Sequence, residues 1–235
     1  MATIGFDTAT ADLTVAAIAG GKALLEVEQG PGPDGRPRHS ELLLAEIERC
    51  AEAAGGWERV ERIAVGIGPG SFTGVRIGIA TARALSQARG LPLAGVSTLS
   101  ALGAAIAELP EARGRAAAAV LDARRGQVFA RVAGPGADVL EEPAVLAPEE
   151  LAEALAGLDP PPLAAGDGAL RFRAELEAAG ATVAPQGDAV HRVAARFICA
   201  ISEGVSATPP EQVEPIYLRE PDAKRWLQRD GGNGG

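Results

Sequence analysis

Residues 61–104 read ERIAVGIGPGSFTGVRIGIATARALSQARGLPLAGVSTLSALGA. The nearly continuous apolar run Glu61–Ile67 predicts a strand covered on both sheet faces. A glycine turn, Gly66-Ile67-Gly68-Pro69-Gly70-Ser71-Phe72-Thr73-Gly74, leads into a helix running from Gly74 to about Arg89. Pro92–Val96 predicts another strand, and Ser97 is placed to cap a helix ending near Glu108. This alternation of strands and helices puts the chain in the α/β class.

The turn resembles a phosphate cradle but fits none of the known fingerprints. A P-loop needs a Lys directly after its second glycine, and no Lys occurs between Lys22 and Lys224. In a dinucleotide fingerprint the third glycine would fall one residue before Gly74. Ser71 lacks the flanking glycines of a nucleophile elbow. Two readings remain open. Ser71 or Thr73 caps the helix, with Gly68 and Gly70 supplying a tight turn. Alternatively, Gly68, Gly70, Ser71 and Thr73 bind an anion such as a nucleotide phosphate through free N–H groups, with Asp7 nearby.

The following helix has one narrow polar strip, Arg76, Arg83 and Gln87, while Val75, Ile77, Ile79, Ala84 and Leu85 fill most of the remaining arc. A helix on a sheet buries a stripe of roughly 100°, so apolar surface is left over. Gly74, Gly78 and Ala82 recur every four residues, which permits close approach of another helix. The helix is therefore either central to its own chain or part of a partner interface. In the second case Val75, Gly78, Ile79 and Ala82 contribute, together with Leu42 from the helix predicted over His39–Ala54. On that preceding helix Leu43, Ile47, Cys50 and Ala54 share a face widened by Leu44 and Ala51, and Glu41, Glu46, Glu48 and Arg49 lie opposite.

Outward from this stretch, Thr3–Thr8, Leu13–Ala19 and Lys22–Glu28 predict three strands, with Gly20-Gly21 as a two-residue hairpin turn. Past a polar linker at Pro110–Arg115 the opening pattern recurs. Ala116–Leu121 ends in Asp122, and Gln127–Ala133 comes next as an alternating strand. Asp7 and Asp122 occupy equivalent places, so the chain is read as an internal duplication of a βββαβα-type unit. Residues 1–108 form the first unit and residues 109–220 a reduced second one. In the second unit helices are expected at Pro148–Gly157, at Ala169–Ala179 and from an Asp188 cap to Glu203. Residues 221–235 form a tail whose glycine-rich end, 231–235, is expected to be disordered.

The 235 residues suffice for a sizeable core, and 47% hydrophobic with 23% charged residues is ordinary for a globular protein. Aromatic residues make up only 3%, so Ala, Val, Leu and Ile build the interior. No run of about 18 apolar residues exists to span a membrane, and the first residues lack the charge pattern of a secretory signal. Cys50 and Cys199 are too few for a disulfide framework, which suits a cytoplasmic chain. The formal net charge of −9, from 22 basic and 31 acidic residues, gives no general attraction for a phosphate backbone.

Catalytic groups are few. His39 and His191 lie in different halves, no His/Cys cluster has metal-ligand spacing, and no nucleophile–base set assembles. Asp7 and Asp122 either position hydrated magnesium or a nucleotide across a cleft between the halves, or simply end their strands and hydrogen-bond their own turns.

These segments, taken in order, resemble the bacterial TsaB (YeaZ) family. The resemblance rests on Asp7-Thr8-Ala9-Thr10, Gly68–Gly78, Gly95-Val96-Ser97-Thr98-Leu99, Asp122-Ala123-Arg124 with Gly126, and Pro215-Ile216-Tyr217-Leu218-Arg219. It implies an actin/hsp70/sugar-kinase (ASKHA) fold of two ribonuclease-H-like halves. It also implies a non-catalytic partner of TsaD, with the ATPase TsaE as third member, in threonylcarbamoyl transfer to adenosine 37 of tRNA. The related TsaD proteins carry a metal-binding His-x-x-x-His pair where this chain has Thr98 and Leu102, so no catalytic or metal-ligating residue is expected here. ATP or ADP with magnesium would act only in the complex. TsaD would dock on the helices at 39–54 and 74–89, which also form a homodimer when TsaD is missing, and tRNA would be met indirectly. The competing reading is an active small-molecule kinase or nucleotide hydrolase of the same fold.

Overall fold

A computed structural model describes residues 1–135 and 140–219, so the expected tail at 221–235 lies outside the described residues. The first half opens with β1 (Ala2–Asp7), β2 (Leu13–Ala19) and β3 (Lys22–Gln29), joined antiparallel. Gly20 and Gly21 take φ of 55° and 72° in the hairpin turn, the positive values that a two-residue connection requires. Helix α1 (His39–Ala53) then carries the chain to β4 (Val60–Gly66), which lies parallel to β1. Next come α2 (Phe72–Arg89), β5 (Leu93–Val96) and α3 (Thr98–Ala107). The sheet order is β3-β2-β1-β4-β5.

The second half repeats this with β6 (Ala117–Arg124), β7 (Gln127–Ala133), β8 (Leu140–Leu146), α4 (Pro148–Leu155), β9 (Leu163–Ala165), α5 (Asp167–Arg171), α6 (Arg173–Ala178), β10 (Thr182–Val183) and α7 (Ala195–Glu203). Its order, β10-β9-β6-β7-β8, is the first sheet's order read from the opposite edge. β8 takes the place of β3, and β6 the place of β1. The duplication read from the two aspartates is thus present strand for strand.

Three local readings change. Strand β8 was not legible, because Glu141, Glu142 and Pro143 break the apolar alternation. A proline is tolerated there because β8 is an edge strand with one free side. The helix expected over Ala169–Ala179 is two pieces, α5 and α6, interrupted at Phe172. Asp188 caps only a short turn at Ala189–His191, and α7 starts later, after an extended link.

Helix α1 also differs at two positions. Leu44 is 63% exposed, whereas Glu46 is buried and accepts a hydrogen bond from Gln29 while pairing with Arg49 at 2.6 Å. A carboxylate with two partners can face inward where an apolar side chain was expected.

Helices α1 and α2 cover one face of the first sheet, and α4, α5 and α6 cover one face of the second. The two remaining helices are exchanged. Helix α3, from the first half, packs on β6 and β7, while α7, from the second half, packs on β1 and β2. Both lie between the sheets, in a shared apolar core that includes Val96, Leu99, Leu102, Leu121, Phe197 and Ile198. Hydrogen bonds from Ala195 N to Thr14 Oγ1 and from the Arg62 guanidinium to the Val205 carbonyl fasten α7 to the other half's sheet. Among the described residues no helix is long and apolar enough to cross a membrane.

Candidate functional site

In each sheet the chain reverses direction of travel beside the central strand, and such a switch point opens a crevice at the strand ends. In the first half the crevice is shut. Asp7, at the end of β1, is only 1% exposed. Its Oδ1 accepts from Ala9 N at 2.7 Å and its Oδ2 from Thr98 Oγ1 at 2.7 Å. Thr98 is itself fixed, accepting from Gly68 N at 3.1 Å while its own N–H donates to the Gly68 carbonyl at 2.9 Å. Burial pushes the Asp7 carboxyl above its ordinary 3.8, and the hydrogen bonds from Thr98 and Ala9 pull it partly back.

The glycine turn closes over this arrangement. A Cβ on Gly66 would lie 1.7 Å from Asp7 Oδ2. On Gly74 it would lie 2.0 Å from the Thr8 carbonyl, and on Gly78 2.4 Å from Thr8 Oγ1. The every-fourth-residue stripe therefore admits the Thr8 end of β1 rather than a second helix. Thr8 Oγ1 donates to the Gly74 carbonyl at 2.8 Å, and Ser71 Oγ accepts from Gly74 N at 3.3 Å as the α2 cap. For Ser71 the capping reading is the one observed.

Beyond the seal lies a cleft of about 590 Å³ between the halves. Thr10, Gly70, Ser71, Phe72 and Thr73 form one wall, and Asp122, Arg124, Arg125 and Asp167 the other. Of the residues expected to bind a nucleotide, Gly70, Ser71 and Thr73 reach this cleft. Asp7 and Gly68 do not, because Thr98 and the turn stand in front of them.

The second half is arranged differently. Asp122 Oδ1 accepts from Arg124 N at 2.8 Å, repeating the Asp7–Ala9 bond, but its Oδ2 pairs with Arg171 at 2.8 Å. Its main-chain N–H donates to Asp167 Oδ1 at 2.9 Å. Arg124 and Arg125 have φ of 63° and 54°. For residues with a Cβ that left-handed conformation costs roughly 1–2 kcal/mol each.

A strap crosses the mouth of the cleft. Arg83 holds its start through the Val213 carbonyl at 2.8 Å, and Ile216 N donates to the Ile67 carbonyl at 2.8 Å. Tyr217 stacks on Phe72 with ring centroids 5.3 Å apart, and Arg76 lies over the Phe72 ring at 4.8 Å. Arg219 then reaches the second half, donating to the Ala123 carbonyl at 2.9 Å and to Gln127.

The residues present do not fit the metal site of the TsaD proteins. Thr98 has its hydroxyl committed to Asp7, and Leu102 is fully buried in the apolar core. Neither offers an imidazole, and among the described residues no group of three or more His, Cys, Asp or Glu side chains is placed to hold a metal ion.

The expected interface residues need correcting. Val75, Gly78, Ile79 and Ala82 are buried beneath α2 in this chain's own core, because they form the stripe that rests on the sheet. Leu42 is half-buried. The apolar side chains exposed on these helices include Leu44 on α1 and Phe72, Ala80 and Ala84 on α2, with Ile77 half-buried beside them.

Arg124, Arg125, Tyr217 and Arg219 escaped notice as site residues. One signal was available: in the D-A-R-R-G turn Arg124 pairs with Gln127, so the two central residues are Arg125 and Gly126, and an arginine stands where Asn is usual.

The chain has relatives among known proteins. Residues 34–205 match the family described as TsaD, tRNA N6-adenosine threonylcarbamoyltransferase. An uncharacterised protein of Mycobacterium tuberculosis is 30% identical over 229 residues, covering 94% of this chain and 93% of that one. The tRNA threonylcarbamoyladenosine biosynthesis protein TsaB of Escherichia coli is 35% identical over 130 residues, covering 55% of this chain and 53% of its own length. The structure of YeaZ from Pseudomonas aeruginosa superposes with a TM-score of 0.70 at 26% identity, over 92% of this chain and 100% of that one. A ROK hexokinase from Thermus thermophilus shares the fold, with a TM-score of 0.52 at 17% identity over 86% of this chain and 99% of that one. The fold is thus of the ASKHA type.

Proposed function

Because the chain belongs to the TsaB/YeaZ group within the TsaD family, we propose that it is a non-catalytic subunit of the machinery that forms threonylcarbamoyladenosine at position 37 of tRNA. In this reading TsaD performs the transfer, TsaE completes the complex, and the proteins work in the cytoplasm. Nucleotide and magnesium, where they act, belong to the assembled complex.

One observation carries the non-catalytic part. At the places where the related transferases hold metal with two histidines, Thr98 Oγ1 donates to Asp7 and Leu102 fills the core. Asp7 is only 1% exposed and each of its oxygens already accepts a hydrogen bond, so the seal keeps substrate and metal away from it. The same seal argues against a kinase or nucleotide hydrolase acting through Asp7.

TsaD is proposed to dock on the outer side of α1 and α2, around Leu44, Ile77, Ala80 and Ala84, with a second copy of this chain taking the surface when TsaD is missing. Exposed apolar side chains on neighbouring helices support an association surface there. Ala80→Arg should abolish the heterodimer on size exclusion while leaving the circular dichroism unchanged.

The decisive experiment is reconstitution of threonylcarbamoyl transfer with TsaD, TsaE, tRNA and threonylcarbamoyl-adenylate, with and without this chain. Modification is expected only in its presence. Equal modification without it would overturn the reading.

A further inference from the structure

The second wall of the cleft carries features for which the subunit role gives no use. Arg124, Arg125 and Arg219 line it, and Arg171 joins them through Asp122. Four arginines face two carboxylates there, Asp122 and Asp167. Arg124 also pairs with Asp122, at 3.5 Å, but its side chain is 76% exposed whereas that of Asp122 is only 8% exposed. On a chain of net charge −9 this is a local reversal of sign. Tyr217, the one tyrosine in the sequence, stands beside them 45% exposed. The hairpin turn holds both Arg124 and Arg125 in a left-handed conformation that Asn or Gly adopts without strain. The turn thus keeps two cations at the cleft against the preference of its backbone.

We propose that this rim contacts RNA directly, binding an unpaired nucleotide with its phosphate against Arg124 and Arg125 and its base on Tyr217. Cations that track a backbone, together with an aromatic face for a base, are the elements by which proteins hold single-stranded nucleic acid. The inference rests on the proposed role in tRNA modification, which supplies RNA as the class of ligand. A base with a phosphate also describes a free nucleotide, so the test includes both. The acidic remainder of the surface keeps the contact to a few phosphates.

The test uses the full chain and a labelled RNA hairpin with an unpaired loop, monitored by fluorescence anisotropy from about 50 mM salt upward. ADP and ATP are titrated in parallel. Tyr217→Ala and the double change Arg124→Asn/Arg125→Gly should each weaken RNA binding about tenfold, whereas Tyr217→Phe should bind like the parent. The double change should also flatten the dependence of log K on log salt by about one unit, close to 0.7 for each phosphate released. Asn and Gly suit the turn, so lost binding cannot be put down to misfolding. RNA binding that is absent, or that survives both changes, overturns the proposal. So does ATP binding that needs the same residues without any RNA binding, since it assigns the rim to a free nucleotide. Reconstitution keeps the two readings apart. If RNA binding survives the double change while modification still requires this chain, only the RNA contact fails. If the chain binds RNA yet is dispensable for modification, only the subunit reading fails.

Discussion

Asp7 and Asp122 lie at or near the ends of equivalent strands in two sheets of the same order, and each accepts a hydrogen bond from the main chain two residues on. There the likeness stops. Asp7 is walled in by Thr98 and a glycine turn, while Asp122 borders an open cleft and pairs with Arg171. A strand-ending aspartate is thus a property of the duplicated unit. Its availability to a ligand depends on the segment that leaves the fourth strand of each sheet. After β4 the turn folds over Asp7 and Thr8; after β9 Gly166 and Gly168 approach Val120 and Leu121 of β6 as closely, but the short helix that starts at Asp167 leaves Asp122 on the cleft.

The largest expected contrast lies in the glycines. Gly74→Val places carbon about where the Thr8 carbonyl already is and should cost about 3 kcal/mol or more in urea denaturation. Gly126→Ala, in the second half, has no atom within 4 Å and meets only left-handed strain, about 1 kcal/mol. Equal losses at the two sites would show that Gly74 is not packed against the Thr8 carbonyl.

The aspartates themselves give the next contrast. Thr98→Val removes a donor from a buried carboxylate and should cost about 1–3 kcal/mol at neutral pH. Asp122→Asn breaks pairs with half-exposed Arg171 and exposed Arg124 and should cost about 1 kcal/mol or less. The first cost should depend on pH. Burial raises the folded-state value of Asp7 above 3.8, so the folded protein holds this proton more tightly than the unfolded chain does. The Asp7 contribution to stability is therefore most favourable below 3.8 and declines as pH rises through the raised value. Losing the Thr98 bond raises that value further, because the bond was lowering it. The penalty of Thr98→Val should accordingly shrink on acidification, and urea midpoints at several pH values would show it. A penalty constant with pH would mean that Asp7 is not the group affected.

Smaller effects test the rim and the strap. Arg124→Asn/Arg125→Gly should raise stability by about 1 kcal/mol by relieving two left-handed residues. Tyr217→Leu should lose roughly 0.5–1 kcal/mol of ring stacking on Phe72. It should also speed hydrogen exchange at the Ile216 amide, and unchanged exchange would show that the strap is not held by its rings.

Much of this molecule was legible because glycines and small apolar residues mark strand ends and packing faces plainly. The hairpin at Gly20-Gly21, the cap at Ser71 and the repeated aspartates are all consequences of local chemistry. Strand β8 was hidden because an edge position tolerates Pro143. The inward side of α2 was misassigned for a related reason. An arc of small and apolar residues on a helix does not say which part rests on the sheet, and here Val75 and Ile79 do while Ala80 does not. The seal over Asp7 was out of reach, since Thr98 lies far along the chain and nothing nearby announces their contact.

The exchange of α3 and α7 has a consequence for how such a chain can be taken apart. Each half of the duplication has handed its last helix to the other, so a fragment cut at the 109–115 linker would lack the cover for one sheet face and carry a helix with nothing to rest on. Neither fragment should be soluble alone, yet the two expressed together should find each other, as the parts of a split protein do. A gene that has reached this state can no longer shed one copy of its repeat, and deletion has ceased to be a route back to the ancestral single unit.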